Sequence, residues 1–233
     1  AVAFVLLISI YLILSGIPAI REIGLFRFLL GKVWDPTNTT TGAQYGILAF
    51  LLTSIYGTAG AILIGVPVGL MTAVFLARVA PPRLAAVIRT AVQLLAGIPS
   101  VVYGLVGMIV LVPAIQRTFS LSSGACLLAA ILVLAVMILP SIVNVSETAL
   151  RAVPREYEEA SLALGATEVE TCFRVTLPAA RSGVATAVVL GVGRAIGEAM
   201  AIIMVAGNVS NMPGLFTPVR FLTTSIVSGM AYA

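Results

Sequence analysis

The chain has 233 residues, of which 60% are hydrophobic and 9% charged, with a net charge of +4, no histidine and two cysteines. Soluble domains carry about 25% charged residues, and a mean hydropathy of +1.14 makes lipid the main solvent here. Histidine-based acid–base catalysis, a zinc-type metal centre and a disulfide framework are excluded, and without a basic run or an aromatic-interleaved basic patch so is a nucleic-acid partner.

A bilayer-spanning helix needs about 20 largely apolar residues. Such runs fall at 2–20, 47–77, 98–116, 124–144 and 183–206, and a sixth starts near Leu222. The expected fold is therefore an all-α membrane protein, a polytopic bundle of about six spans. The second run is too long for one upright span, so part of it should tilt or extend past the membrane. Pro67, Pro99 and Pro140 lie in or beside these runs, which bundles tolerate because neighbouring helices satisfy the freed carbonyls. The chain begins and ends inside apolar runs and has no signal-peptide pattern, so both ends are expected to be incomplete.

Five connections separate the runs. Residues 21–46 contain the turn-forming Asp35-Pro36-Thr37-Asn38 after a short amphipathic stretch, and 78–97 carry Arg78, Arg83, Arg89 and Pro81-Pro82. A short third connection runs from Arg117 to Ser123. The fourth, from Ser146 to Ser182, is the longest charged stretch, and 207–221 is a loop of Gly, Pro and Asn. Loops alternate sides. The second and fourth hold Arg78, Arg83, Arg89, Arg151, Arg155, Arg174 and Arg181, against Arg21, Arg27, Lys32, Arg117 and Arg220 in the others. The excess of positive charge places the second and fourth in the cytoplasm.

Residues 153–178 are the most informative. Pro154 suits a helix start, and Glu156, Glu158 and Glu159 sit near the positive end of its dipole. Tyr157, Ala160, Ser161 and Leu164 share one weakly apolar face. Gly165 is a natural stop, and Thr167-Glu168-Val169-Glu170 reads as a capping box that starts a second helix. On that helix Val169, Cys172, Phe173 and Thr176 share a face. Two short helices joined at a glycine fit either a solvated connector or an element that docks into a partner's groove. Glu159-Ala160-Ser161, three residues, Gly165, nine residues, then Val175-Thr176-Leu177-Pro178 resembles the EAA loop of ABC-importer permeases. Ser161 and Val175 depart mildly from that pattern. The resemblance implies that Glu159, Ala160, Ser161, Gly165, Leu177 and Pro178 form a coupling helix seated in a cytoplasmic ATPase. No phosphate-binding loop occurs in this chain, whose single lysine is Lys32; ATP hydrolysis is then expected in a separate subunit.

The most costly residues, Arg194 and Glu198, lie deep in the run 183–206. Four residues apart on a continuous helix, they would share a face and could neutralise each other. They are either a buried structural pair or the lining of an anion path, with the guanidinium fork of Arg194 offered to phosphate oxygens. Gly191-x-Gly193-x-x-x-Gly197 echoes a dinucleotide fingerprint but follows no strand; Gly193 and Gly197 suit close helix packing instead.

Gly193-Arg194-Ala195-Ile196-Gly197-Glu198-Ala199-Met200-Ala201 with Gly207-Asn208, Ala96-Gly97-Ile98-Pro99-Ser100-Val101-Val102-Tyr103-Gly104-Leu105 and Leu150-Arg151-Ala152-Val153-Pro154-Arg155-Glu156 resemble the phosphate-specific (Pst) permeases. The likeness runs from about residue 46 to the end. Ala80-Pro81-Pro82-Arg83-Leu84 and Val110-Leu111-Val112-Pro113 are similar to the C rather than the A subunit. The resemblance implies a first span and extracytoplasmic loop over 1–45 and a type I importer permease core over 46–233, in the bacterial cytoplasmic membrane. Its implied partners are a paralogous permease, two ATP-binding subunits that hold ATP and Mg, and an extracytoplasmic phosphate-binding protein, with no cofactor in this chain. Permeases for molybdate or sulfate and an autonomous secondary transporter are the alternative readings.

Overall fold

The computed structural model describes residues 2–37 and 42–230; Asn38, at the end of the first turn, lies outside them. Helix α1 (Val2–Ile23) is largely apolar, with Arg21 and Glu22 exposed at its end, and has no buried residue. Short α2 (Leu25–Leu30) and the antiparallel pair β1 (Trp34–Asp35) and β2 (Gln44–Tyr45) follow. Trp34 and Phe28 pack on Ile47, Ala49 and Phe50 at the start of α3 (Leu48–Val74).

Helix α3 runs on through a π-helical turn, Phe75–Val79, to a total of 32 residues. At 1.5 Å per residue that is about 48 Å, well beyond the ~30 Å hydrocarbon layer, a length that requires the tilt or extension expected of it. Gly57, Ala61, Gly65, Gly69 and Ala73 recur every fourth residue and are all buried. Small residues at this spacing let helix backbones approach closely.

The segment 78–97, expected as a connection, is largely helix α4 (Pro82–Gly97). Pro81-Pro82 starts it, and Arg83, Arg89 and Gln93 dilute an apolar face that packs Ala85 and Ile88 with Leu76 and Val143. Helix α5 (Ser100–Val106), a π turn at Gly107–Leu111 and α6 (Val112–Thr118) form the next span.

The axis of the bundle is α7 (Leu127–Arg151). It lies parallel along the small-residue strip of α3: Ile131 meets Gly60, Ile138 meets Gly65 and Ile142 meets Gly69. A Cβ at Gly65 would stand 2.7 Å from Ile138 and one at Gly69 2.8 Å from Ile142, so a side chain there requires the isoleucine or the helix to shift.

After α8 (Arg155–Ala163), α9 (Glu168–Thr171), a π turn at Cys172–Thr176 and α10 (Leu177–Ala179), the chain bends by 72° into α11 (Arg181–Gly197). Helix α11 returns antiparallel on α7, with Gly183 against Ala149 and Gly191 against Ile142. The run 183–206 is not one helix: α11 ends at Gly197 and α12 (Met200–Val205) starts afresh. Among the described residues, four helices are long and apolar enough to cross a membrane and a bent pair makes a fifth. Helix α13 (Leu222–Met230) begins the sixth apolar run where expected.

Phe28 and Trp34 of the first connection and Leu222 after the fifth meet in one cluster. The N–H groups of Leu127 and Leu128 donate to Thr217 and Leu215 at the same end. Arg78, Arg151 and the 153–178 segment gather at the opposite end. The alternation of loops therefore holds in three dimensions.

Candidate functional site

Local chemistry builds the 153–178 segment as its residues predict. Pro154 caps α8, with Glu156 and Glu158 in the first turn. Gly165 takes φ +87°, the left-handed conformation that glycine adopts without strain; its N–H donates to Leu162 O and that of Ala166 to Ser161 O. The capping box is complete: Glu170 N–H donates to Thr167 Oγ1 at 3.3 Å and Thr167 N–H to Glu170 Oε2 at 3.1 Å. Glu159, Ala160, Gly165 and Pro178 are exposed, while Ser161 and Leu177 are half-buried. Around the glycine corner stand Tyr157, Leu162, Leu164 (90% exposed), Val169 (67% exposed) and Phe173. Large apolar side chains this exposed on the aqueous end of a membrane protein mark an interaction surface.

Two expected faces are corrected. Ser161 turns inward from Tyr157, Ala160 and Leu164 and shares a 2.9 Å hydrogen bond with Thr171. On the second helix Cys172 and Thr176 are buried while Val169 and Phe173 point out. There the chain follows the wider π turn, and spacing on a 3.6-residue helix no longer gives the face.

The structure adds a charge network that the spacing arguments missed. Glu147, 5% exposed, accepts from Arg89 Nη2 at 2.6 Å and from Arg151 Nε at 2.9 Å. Arg151 Nη2 donates to Leu76 O at 2.9 Å, and Arg78 Nη2 to Leu150 O at 2.6 Å. Each of the parallel helices α3 and α7 thus sends an arginine to a carbonyl near the other's end, where backbone acceptors lack helical partners. Arg78 Nη2 also meets Glu158 Oε1 at 2.6 Å, and Thr176 Oγ1 donates to the same oxygen at 3.0 Å. The Glu147–Arg151 spacing was legible in the chain; their partners, distant in sequence, were not. Burial pushes the nearby Cys172 thiol up, with Arg78 pulling it down and Glu158 adding to the rise.

Arg194 and Glu198 are brought near each other but not paired. With α11 ending at Gly197, Glu198 turns to cap α12: its Oε1 accepts Ala201 N–H at 3.0 Å, and its carbonyl accepts Thr223 Oγ1 at 2.8 Å. Gly104 lets α5 pack closely on the start of α12, since a Cβ there would lie 2.8 Å from Ala201 Cα. Among the described residues Arg194 has no hydrogen bond or ion pair, and the Tyr103 hydroxyl donates to Leu95 O at 2.8 Å. The expected mutual neutralisation is therefore overturned by the helix break. Gly193 and Gly197, read as packing residues, face open space; the close packing lies on α3 instead.

Comparison with known proteins follows this geometry. The family model for the binding-protein-dependent transport system inner membrane component matches residues 65–231. The chain is 40% identical over 228 residues to a probable ABC transporter permease protein, YqgH, of Bacillus subtilis, covering 97% of this chain and 73% of that protein. It is 37% identical to the phosphate transport system permease protein PstC of Pasteurella multocida, over 88% of this chain and 68% of that protein. Among solved structures, the inward-facing MetNI methionine ABC transporter matches with a TM-score of 0.52 at 24% identity, over 72% of this chain and 74% of that one. That last likeness is one of fold.

Proposed function

The chain belongs to the binding-protein-dependent transport system inner membrane components, the multi-pass permease subunits of ABC importers whose ATPase is a separate subunit, and from that premise we propose that it conducts inorganic phosphate. Importers of this family work with a substrate-binding protein outside the membrane and an ATPase inside it. In the proposed assembly the second permease is a paralogue, two ATP-binding subunits hold ATP and Mg, and the binding protein delivers phosphate to the face carrying 21–46 and 207–221.

The observation that carries the reading is Arg194, a guanidinium in an apolar run that has no counter-ion among the described residues because the helix breaks at Glu198. An unpaired arginine at membrane depth is costly, and a tetrahedral oxyanion fits its planar fork. Glu198 holds the break open beside it, so the anion meets one strong donor and can leave. At the other end Glu159, Ala160, Ser161, Gly165, Leu177 and Pro178 frame the corner that docks into the ATPase. The naming of relatives such as the Pasteurella protein for phosphate supports phosphate over molybdate or sulfate.

The test is uptake of labelled phosphate by membranes carrying Arg194→Ala, with competition by molybdate and sulfate in the wild type. Loss of uptake from a complex that still assembles, and competition by neither anion, is the expected result. Wild-type uptake by the variant would remove Arg194 from the path. Uptake that molybdate or sulfate suppresses as well as phosphate does would give the permease to that oxyanion. A chain that moves phosphate with no ATPase bound would make it a secondary transporter.

A further inference from the structure

No residue of α8 is buried. The apolar cluster beneath it joins Ala73, Val74, Leu150, Val153, Cys172 and Ala180, all from α3, α7 or the flanking chain. Between α8 and the bundle lies a cleft of about 330 Å³ lined by Ala77, Arg78, Glu158, Thr171, Cys172 and Thr176. Polar contacts, not side-chain packing, therefore cross the gap.

Apart from the hydroxyl contact of Ser161 with Thr171, those contacts converge on one carboxylate. Glu156 and Glu159 are exposed, whereas Glu158 is half-buried and takes Arg78 Nη2 at 2.6 Å and Thr176 Oγ1 at 3.0 Å. Arg78 stands in the π turn that ends α3 and also holds Leu150 O of α7. One guanidinium links α8 to the ends of both parallel helices. We infer that the Arg78–Glu158 pair is the strut through which a push on α8 moves α3 and α7 together, Glu158 acting as a positioning residue for transport. The inference rests on the importer reading above and deepens it.

Two further features fit a strut that changes arrangement. Arg78 Nε is buried with no partner, a penalty that a shifted guanidinium would relieve. Both segments that flank the pair, Phe75–Val79 and Cys172–Thr176, are π-helical, a rare geometry found frequently at functional sites.

The experiment uses the whole complex in proteoliposomes: this chain, its partner permease, the ATPase subunits and the binding protein loaded with inorganic phosphate. Glu158→Gln, Arg78→Met and the double variant are compared for stimulation of ATP hydrolysis by the loaded binding protein and for phosphate imported per ATP. Each single change is expected to lower stimulation about tenfold, within the usual range of coupling between sites. The ATPase should stay bound, Glu158→Asp should recover most of the loss, and the double variant should be no worse than the poorer single. Wild-type stimulation in the singles, or losses that multiply in the double, would overturn the strut. If both singles fail to assemble, Thr176→Val removes only the hydroxyl that Glu158 accepts; full stimulation there would assign the pair to assembly and overturn the proposal. A wild-type complex that loaded binding protein does not stimulate would instead overturn the importer reading, since no variant enters that comparison.

Discussion

Glu147 and Arg151 stand four residues apart, as do Arg194 and Glu198, yet the first two form an ion pair at 2.9 Å and the second two do not. The first pair lies on an unbroken helix with the acid N-terminal to the base, the favoured order on a helix surface. The second pair has the reverse order and straddles the end of α11 at Gly197. Identical spacing gives opposite outcomes because i,i+4 geometry exists only while the helix continues. At the inner end the charges satisfy each other and lock helices, while Arg194, proposed above to meet the anion, has no ion pair among the described residues.

The largest expected effect tests the second half of that contrast. Arg194→Ala should lower phosphate uptake at subsaturating concentration by about 30-fold or more, the usual loss when one partner of a desolvated charge contact is truncated. Its thermal unfolding in detergent should match wild type, because no intrachain partner is orphaned. A lowered melting temperature with normal transport per folded complex would mean that Arg194 is a structural group after all.

Glu147→Ala tests the first half and should do the reverse. It strips the hub from Arg89 and Arg151 and should lower stability, by less than for a fully enclosed pair because both arginines are partly exposed. The readout is the melting temperature of the purified complex, and an unchanged value would show that lipid or water replaces the carboxylate at no cost. Glu198→Gln is milder. It keeps a side-chain oxygen for Ala201 N–H, so the loss should stay below the roughly 1 kcal/mol of a missing helix cap. A collapse of stability there would reveal a partner for Glu198 other than the cap.

The smallest effect concerns a reporter at the inner end. Cys172 is buried, and that burial holds its thiol above the usual range, so less thiolate is present at neutral pH. Alkylation should be slower than for a free cysteine and should quicken as pH rises. Opening the Arg78–Glu158 contact with Glu158→Gln should speed it several-fold. Equal rates in variant and wild type would mean that the cleft under α8 does not depend on that pair.

Much of the molecule was legible before its structure. Apolar runs of about 20 residues located the spans, the excess of arginines on alternate loops agreed with how the loops gather at the two ends, and Thr167, Glu170 and Gly165 announced a cap and a left-handed corner that formed as read. These signals act within a few residues of chain, where backbone hydrogen bonds and φ preferences decide the outcome. Helix α4 was less legible because its arginines diluted its hydropathy. What only the tertiary structure decided was which charge meets which. Glu158 finds Arg78, and Glu147 finds Arg89, across long stretches of sequence, because the small-residue strip of α3 seats it parallel on α7 and brings both helix ends to one place. The backbone around the break at 198–201 is likewise met by Gly104 and Thr223, which come from other helices. Local rules wrote the helices and their caps; the partners of buried charges were set by packing, since desolvated ions take whatever donor or acceptor the fold delivers.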